Sequence, residues 1–311
     1  MENMTSIQQE TALFDTKKVK KIKRKLSPVI IILLVVLLVY AVSLFVPILW
    51  GLMTSLKDKY ELRNNAFGLP EKWLFSNYLD AFDHYRVKVE AGAGFKWVFF
   101  EEMTLYSLLY AVGCAAIQAT VTCLVAYVTA KFKHFAFSKF IYSLVIVVMI
   151  LPIIGSTPSE LALARSLGIY NQIWGMWIMK FNFLGMYYLV FHAMFRGIPK
   201  DFADAAYIDG ASEWQVLFRI MLPMARNTLL TVILLNFIGY WNDYQTPLLY
   251  IPSYPTMAYG LYLFSNDTTN ALSTIPMKIT GCMIMMLPIM VLFLCFHKRL
   301  IGNLSMGGLK E

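Results

Sequence analysis

Two stretches of this chain carry residue types that can do chemistry. The first is Trp241-Asn242-Asp243-Tyr244-Gln245. The flat faces of Trp and Tyr stack on the C–H face of a sugar ring. Asn, Asp and Gln supply the paired hydrogen bonds that a polyhydroxylated solute needs when it sheds water. An aromatic belt at a membrane interface accounts for Trp241 and Tyr244, but not for the amide and acid side chains among them. The second stretch, Pro199 to Pro223, holds Lys200, Asp201, Asp204, Asp209, Glu213 and Arg219, a run too charged to span lipid. Elsewhere the chemistry is sparse. No G-x-x-x-x-G-K-[S/T], G-x-S-x-G or H-E-x-x-H occurs. The histidines His84, His134, His192 and His297 are scattered, and Cys114, Cys123, Cys282 and Cys295 all lie in apolar runs. These residues assign no catalytic group, no metal ligand, no disulfide and no cofactor.

The elements that must position these stretches are membrane helices. Of 311 residues, 58% are hydrophobic and only 15% charged, against about 25% charged in soluble domains. The net charge of +8 does not point to nucleic acid. Lys17, Lys18, Lys20, Lys21, Lys23, Arg24 and Lys25 crowd before the first apolar run, as an inside-facing flank does, where they also suit an anionic lipid surface. Charge-poor runs place spans at about 28–52, 103–130, 139–156, 173–196, 226–245 and 277–297, each near the roughly 20 residues that cross a bilayer. The expected fold is therefore all-α: a polytopic membrane protein with six transmembrane helices. A basic tail fills 1–27, the six-helix body 28–300 and a short tail 301–311. Residues 53–102 form a long aromatic-rich external loop in which Asn77 is placed to cap a short helix. A second short helix is expected outside within 157–172. Lys and Arg cluster near the ends of the 131–139 and 196–226 loops, so both chain ends and residues 197–223 are expected in the cytoplasm.

Within 199–223 the local code reads helix, turn, helix. Phe202, Ala205 and Ala206 line one face of a first helix. Asp209-Gly210 is a turn dipeptide, and Gly210 can take a positive φ. Ser212 with Gln215 makes a capping box. Trp214, Leu217, Phe218 and Met221 give the second helix an apolar face, and Pro223 is expected to end it. The pattern Asp204-Ala205-Ala206, Gly210, then Ile220-x-Leu222-Pro223 resembles the cytoplasmic coupling loop of binding-protein-dependent ABC importer permeases, with Asp204 where that family carries Glu. Trp241-Asn242-x-Tyr244 followed by Pro247-Leu248 resembles the carbohydrate permeases of the maltose-permease type, as does the Gly307-Gly308-x-Lys310 tail.

The resemblance implies a permease subunit of an ATP-driven sugar importer in the cell membrane. It implies a second, similar permease, two cytoplasmic ATPase subunits and an extracellular solute-binding protein as partners. Asp204, Ala205, Ala206, Asp209 and Gly210 would meet the ATPase, and Trp241, Asn242, Asp243 and Tyr244 would lie near the sugar path. Such a chain is not an enzyme. An importer of the same build for a peptide or an osmolyte stays open, as does a membrane scaffold, receptor or enzyme. The spans hold almost no ionisable side chains, which argues against ion coupling. Lys180 and His192 are the exceptions. Lys180 either snorkels outward or faces a pathway.

Overall fold

A computed structural model describes residues 27–91, 94–151, 155–267 and 272–304. The basic cluster before residue 26 and the Gly307-Gly308-x-Lys310 tail lie outside these residues. The chain divides into two units, residues 1–50 and 51–311. The charge-free helix α1 (Pro28–Ser55) begins in the first and ends in the second. Its side chains from Val29 to Leu49 are exposed, as befits a helix apolar on every side that meets lipid or a partner rather than its own core.

After the end of α1 the second unit continues with short elements. Helices α2 (Lys59–Asn64) and α3 (Ser76–His84) are followed by a hairpin of β1 (Val87–Ala91) and β2 (Gly94–Val98), antiparallel with Val89 opposite Lys96. Val87, Val89 and Val98 are buried, and Lys88 and Glu90 alternate with them. That period of two, ending at Ala91-Gly92, is a strand signal that an all-helical reading passes over. Asn77 does not cap α3. It lies in the first turn, and its amide donates to the carbonyls of Ser55 (2.8 Å) and Lys57 (3.1 Å). The loop is thereby tied to the turn that precedes it.

The central helix is α4 (Phe100–Lys131). Ala111, Ala115, Ala119, Ala126 and Ala130 recur along it at steps of four or seven, with Cys114 and Cys123 between, and all are buried. Small side chains on one face let neighbouring helices approach closely, which is how helices pack where water supplies no driving force. Gly113 serves the same approach. A Cβ there would sit 2.1 Å from Nε1 of Trp177, whose N–H donates to the Leu109 carbonyl at 3.0 Å.

Then come α5 (Ala136–Ile150), α6 (Thr157–Ser166), α7 (Ile173–Met179), α8 (Met186–Gly197), α9 (Asp201–Ile208) and α10 (Glu213–Val216). A π-helical turn (Leu217–Met221) leads into α11 (Leu222–Asn242), followed by α12 (Gln245–Tyr250), α13 (Met257–Asn266) and α14 (Ile275–Leu304). Among the described residues, four helical stretches are long and apolar enough to cross a membrane: Pro28–Ser55, Phe100–Lys131, Glu213–Asn242 and Ile275–Phe296. The third and fourth expected spans differ from the sequence reading. α5 stops at Ile150, because the residue before a proline is driven out of the helical region and Pro152 follows closely. At 15 residues it is about 22 Å long. The fourth expected span is broken. α7 ends at Met179, α8 starts at Met186, and the Asn182 side chain accepts from the Leu184 amide at 2.8 Å, a local turn that competes with helix.

Among the described residues, four clusters make up the core. One joins α4, α8, α9 and the start of α11 around Tyr188, Phe191 and Val216. A second seats the hairpin on α13 and α14 through Tyr85, Met257 and Phe264. A third holds α6, α7 and α12 against Tyr110 of α4, and a fourth packs Phe237 and Trp241 of α11 on Ala111 and Ala115. His192 is buried, with its ring 4.8 Å from that of Tyr142 and 5.8 Å from that of Tyr188. Cys114 and Cys123 are free and buried, while Cys282 and Cys295 are free on the exposed surface of α14.

Candidate functional site

The stretch 199–223 folds around a left-handed turn. Gly210 has φ +81°. Its N–H donates to the Tyr207 carbonyl at 3.0 Å, and the next N–H, of Ala211, reaches back to the Ala206 carbonyl at 2.9 Å. This pair of bonds is a Schellman ending for α9, which requires a residue at positive φ where glycine alone is unstrained. Ser212 and Gln215 form the capping box. The Ser212 amide donates to Gln215 Oε1 (2.7 Å) and the Gln215 amide to Ser212 Oγ (3.4 Å).

Three details depart from the sequence reading. Pro223 does not end the second helix. The chain passes from α10 through the π turn into α11, with Pro223 in the first turn of α11. Proline removes a donor and crowds the carbonyl four residues back, and one extra residue in the turn relieves both. The inward face of α9 is Ala203, Ala206 and Tyr207, so Phe202 and Ala205 lie outside with Asp204. On the second helix Val216, Leu217 and Met221 are buried, whereas Trp214 and Phe218 stack on each other outside at 6.0 Å. The helix–turn–helix thus presents large apolar side chains to its surroundings: Ile208 is 87% and Trp214 70% exposed, with Phe202 and Phe218 beside them. Asp204, Ala205, Asp209 and Gly210 share that open face, and Ala206 is half-buried behind them. An apolar patch ringed by carboxylates on a charged segment marks a docking surface.

A polar knot secures this surface to the central helix. Lys131, the last residue of α4, donates to Tyr207 of α9 and to Glu213 of α10. Tyr207 in turn donates to Glu213 at 2.8 Å. Burial raises the Tyr207 phenol while the Lys131 hydrogen bond opposes that shift. The knot spans the Gly210 turn, so both flanks move with the end of α4. Sequence spacing gave no hint of it, since Lys131 lies 82 residues from Glu213. Lys131 is 20% and Glu213 61% exposed. Solvent screening therefore discounts the ion pair, and losing the knot is expected to destabilise the docked turn by about 1–2 kcal/mol. Lys131→Met should accordingly raise amide hydrogen exchange across 199–216 roughly tenfold, since 1.4 kcal/mol is tenfold in an opening equilibrium. Unchanged exchange there would show that the knot does not hold the turn.

The second candidate stretch is not one cluster. Trp241 is buried, stacked with Phe237 at 5.6 Å, and its indole N–H donates to the Met285 carbonyl of α14 at 3.0 Å. Asn242 is exposed and its amide donates to Ile238 of its own helix at 2.9 Å. Asp243 is half-buried just past the end of α11. Its carboxylate accepts from the Tyr110 hydroxyl (3.0 Å) and from the Thr246 amide (3.0 Å), which starts α12. Tyr244 is partly exposed and stacks on Tyr262 at 4.3 Å. Four successive residues on a helix end point in four directions because each step turns about 100°.

A sequence profile of the family described as the binding-protein-dependent transport system inner membrane component matches residues 122–305, more than half of the chain. The chain belongs to this family. As a member, it is a non-enzymatic, multi-pass membrane component of an ABC importer, a system that also comprises a further permease, an ATPase and a binding protein. It is 26% identical over 87% of its length to the diacetylchitobiose uptake system permease protein NgcG of Streptomyces coelicolor, covering 86% of that chain. It is 27% identical over 85% of its length to the arabinooligosaccharides transport system permease protein AraQ of Bacillus subtilis, covering 90% of it. In fold it matches a chain of a bacterial ABC transporter involved in the import of the acidic polysaccharide alginate, with a TM-score of 0.68, 22% identity, and coverage of 86% and 95% of the two chains.

Proposed function

We propose that this permease forms half of the translocation pathway of an ATP-driven sugar importer, with the surface around Gly210 as the contact that receives force from the ATPase. The observation that carries the mechanical part is the left-handed turn capped on both flanks and covered with outward-facing apolar and acidic side chains. Asp204, Ala205, Asp209 and Gly210 form the contact face, and Ala206 packs behind it. ATP-driven closure of two ATPase subunits pushes on this face. The Lys131 knot passes the push to α4, and the bundle rocks between outward- and inward-open arrangements about the site. The sugar assignment draws on relatives whose names state diacetylchitobiose uptake and the transport of arabinooligosaccharides and galactooligosaccharides. Testing candidate saccharides, a peptide and an osmolyte for binding to the cognate binding protein decides it, and binding of only the non-sugars would overturn it.

Six spans, with both chain ends in the cytoplasm, fit this mechanism. The four long helices, with α5 and the broken pair α7–α8, supply six crossings. Lys131 of α4 meets Tyr207 and Glu213, so the 132–135 turn and the 198–213 segment share one end. Ser253 donates to the Glu90 carbonyl (3.1 Å), and the Asn171 amide to the Tyr250 carbonyl (2.8 Å). Glu90, Asn171, Tyr250 and Ser253 thus meet at the other end. Tags near residue 135 and at both termini should report cytoplasm, and tags near 85 and 265 the exterior. An external report from 199–223 would remove the ATPase from reach and end the proposal. Trp241, Asn242, Asp243 and Tyr244 lie at the outer end of α11 in this arrangement. Trp241 fixes that end in the bundle, and Asp243 shapes the start of α12 beside the solute path.

A further inference from the structure

Between α7 and α8, residues 180–185 run without helix inside a largely apolar stretch. Backbone groups freed at such a break are stable at membrane depth only where protein or a water-filled cavity receives them. A cavity of about 240 Å³ opens beside it, walled by α6, α7 and α12. Its lining brings together Glu160, Lys180, Gln245 and Thr246, with Met179 and Tyr250 as apolar surface. Lys180 lies seven residues, about 10 Å, from the start of α7. Its ammonium stands 5.2 Å from the centre of the Tyr240 ring, and Tyr240 is anchored by a 2.6 Å bond from its hydroxyl to Gln118. Among the described residues the ion pairs within 4.0 Å are Lys96–Glu102 and Lys131–Glu213, so Lys180 has no carboxylate that close. Glu160 accepts a 3.3 Å bond from the Tyr250 hydroxyl. Lys180 and Glu160 thus line one cavity without pairing within 4.0 Å, and Gln245 and Thr246 share its wall.

We propose that this cavity is a subsite for one neutral sugar residue of the cargo. The inference rests on the sugar-importer reading above and adds where this chain grips the solute. Vicinal hydroxyls each donate and accept, and the Lys180, Glu160, Gln245 and Thr246 side chains that line the cavity are donors and acceptors of matching kinds. Met179 and Tyr250 add apolar wall suited to a C–H face. One positive and one negative side chain leave no net charge to favour an ionised cargo. The volume is below the roughly 300–1,000 Å³ of pockets that hold drug-sized ligands, which fits one ring rather than a chain. A polar side chain left unpaired when its hydroxyl partner is missing discriminates strongly, so this subsite also sets preference.

The test uses the complete importer, reconstituted with its binding protein, and measures uptake of maltose, cellobiose, raffinose, digalacturonate, glycine betaine and trialanine. The expected result is uptake of a neutral saccharide, with Lys180→Met and Glu160→Gln each raising its KM at least tenfold and Lys180→Arg recovering part of the loss. Thr246→Cys gives a second readout that does not depend on those variants. A membrane-impermeant maleimide should label it above the background of the native cysteines, and the transported saccharide should slow labelling at least tenfold. Saccharide uptake at unchanged KM in both charge variants, or labelling of Thr246→Cys that saccharide does not slow, overturns the subsite and leaves the sugar reading intact. Preferred uptake of digalacturonate, lost on Lys180→Met alone, overturns the neutral assignment. Uptake of only glycine betaine or trialanine overturns the sugar reading itself.

Discussion

Gly210→Val is expected to reduce uptake tenfold or more while the protein still reaches the membrane at its normal level. The reason is backbone conformation and not space. Gly210 sits at φ +81°, and beyond its own chain neighbours no heavy atom lies within 4 Å of where a Cβ would stand. A β-branched residue is a steric outlier at positive φ, and holding it there costs about 1–3 kcal/mol. The turn relieves that strain by leaving the left-handed region, which breaks the Gly210-to-Tyr207 and Ala211-to-Ala206 bonds that close α9. Asp204 and Ala205 then no longer share a face with Asp209. The contrast that isolates conformation is Gly210→Asn, since asparagine tolerates the left-handed region. Its side chain has open space, so it should keep uptake within about threefold of wild type. Wild-type uptake by Gly210→Val, or an equal loss in both variants, would remove the turn conformation from the coupling mechanism.

The largest expected effect on stability comes from Trp241→Ala. Trp241 is 2% exposed, stacks on Phe237 and donates its indole N–H across to α14. Truncating a buried Trp to Ala costs about 3–5 kcal/mol through lost packing and the cavity left behind. The Met285 carbonyl loses a side-chain donor as well. Thermal unfolding of the detergent-solubilised chain should therefore shift down by several degrees. Asn242→Ala, one residue on, removes only an exposed bond to its own helix and should leave the unfolding temperature within about a degree, as exposed substitutions change stability by no more than about 0.5 kcal/mol. Equal shifts in the two variants would mean that Trp241 does not join α11 to α14. Matched uptake assays complete the comparison. A loss in Trp241→Ala that tracks the loss of folded protein assigns the residue to the bundle and not to the solute.

The amino-acid sequence by itself determined the features that depend on near neighbours. The Ser212/Gln215 box and the Gly210 turn involve bonds spanning no more than five residues, so their code is local. Composition and the spacing of charges determined the membrane class, because the energy of charge in lipid does not depend on which helices meet. The tertiary structure decided what distant groups do to each other. A helix pattern does not reveal that Lys131 closes on Tyr207 and Glu213, or that the Trp241 indole turns away to α14. Nor does it show that Pro223 is absorbed by a π turn continuous with α11. The break at 180–185 is the clearest case. Hydropathy sees 173–196 as one apolar run with a single lysine. In the fold Asn182 closes a local turn, the helix stops, and Lys180 faces Tyr240 beside a cavity. Apolar side chains suit lipid whether or not the backbone is helical, so hydropathy carries no signal for such a break. Its stability depends on neighbours that accept the freed backbone groups, and only the packed bundle supplies them.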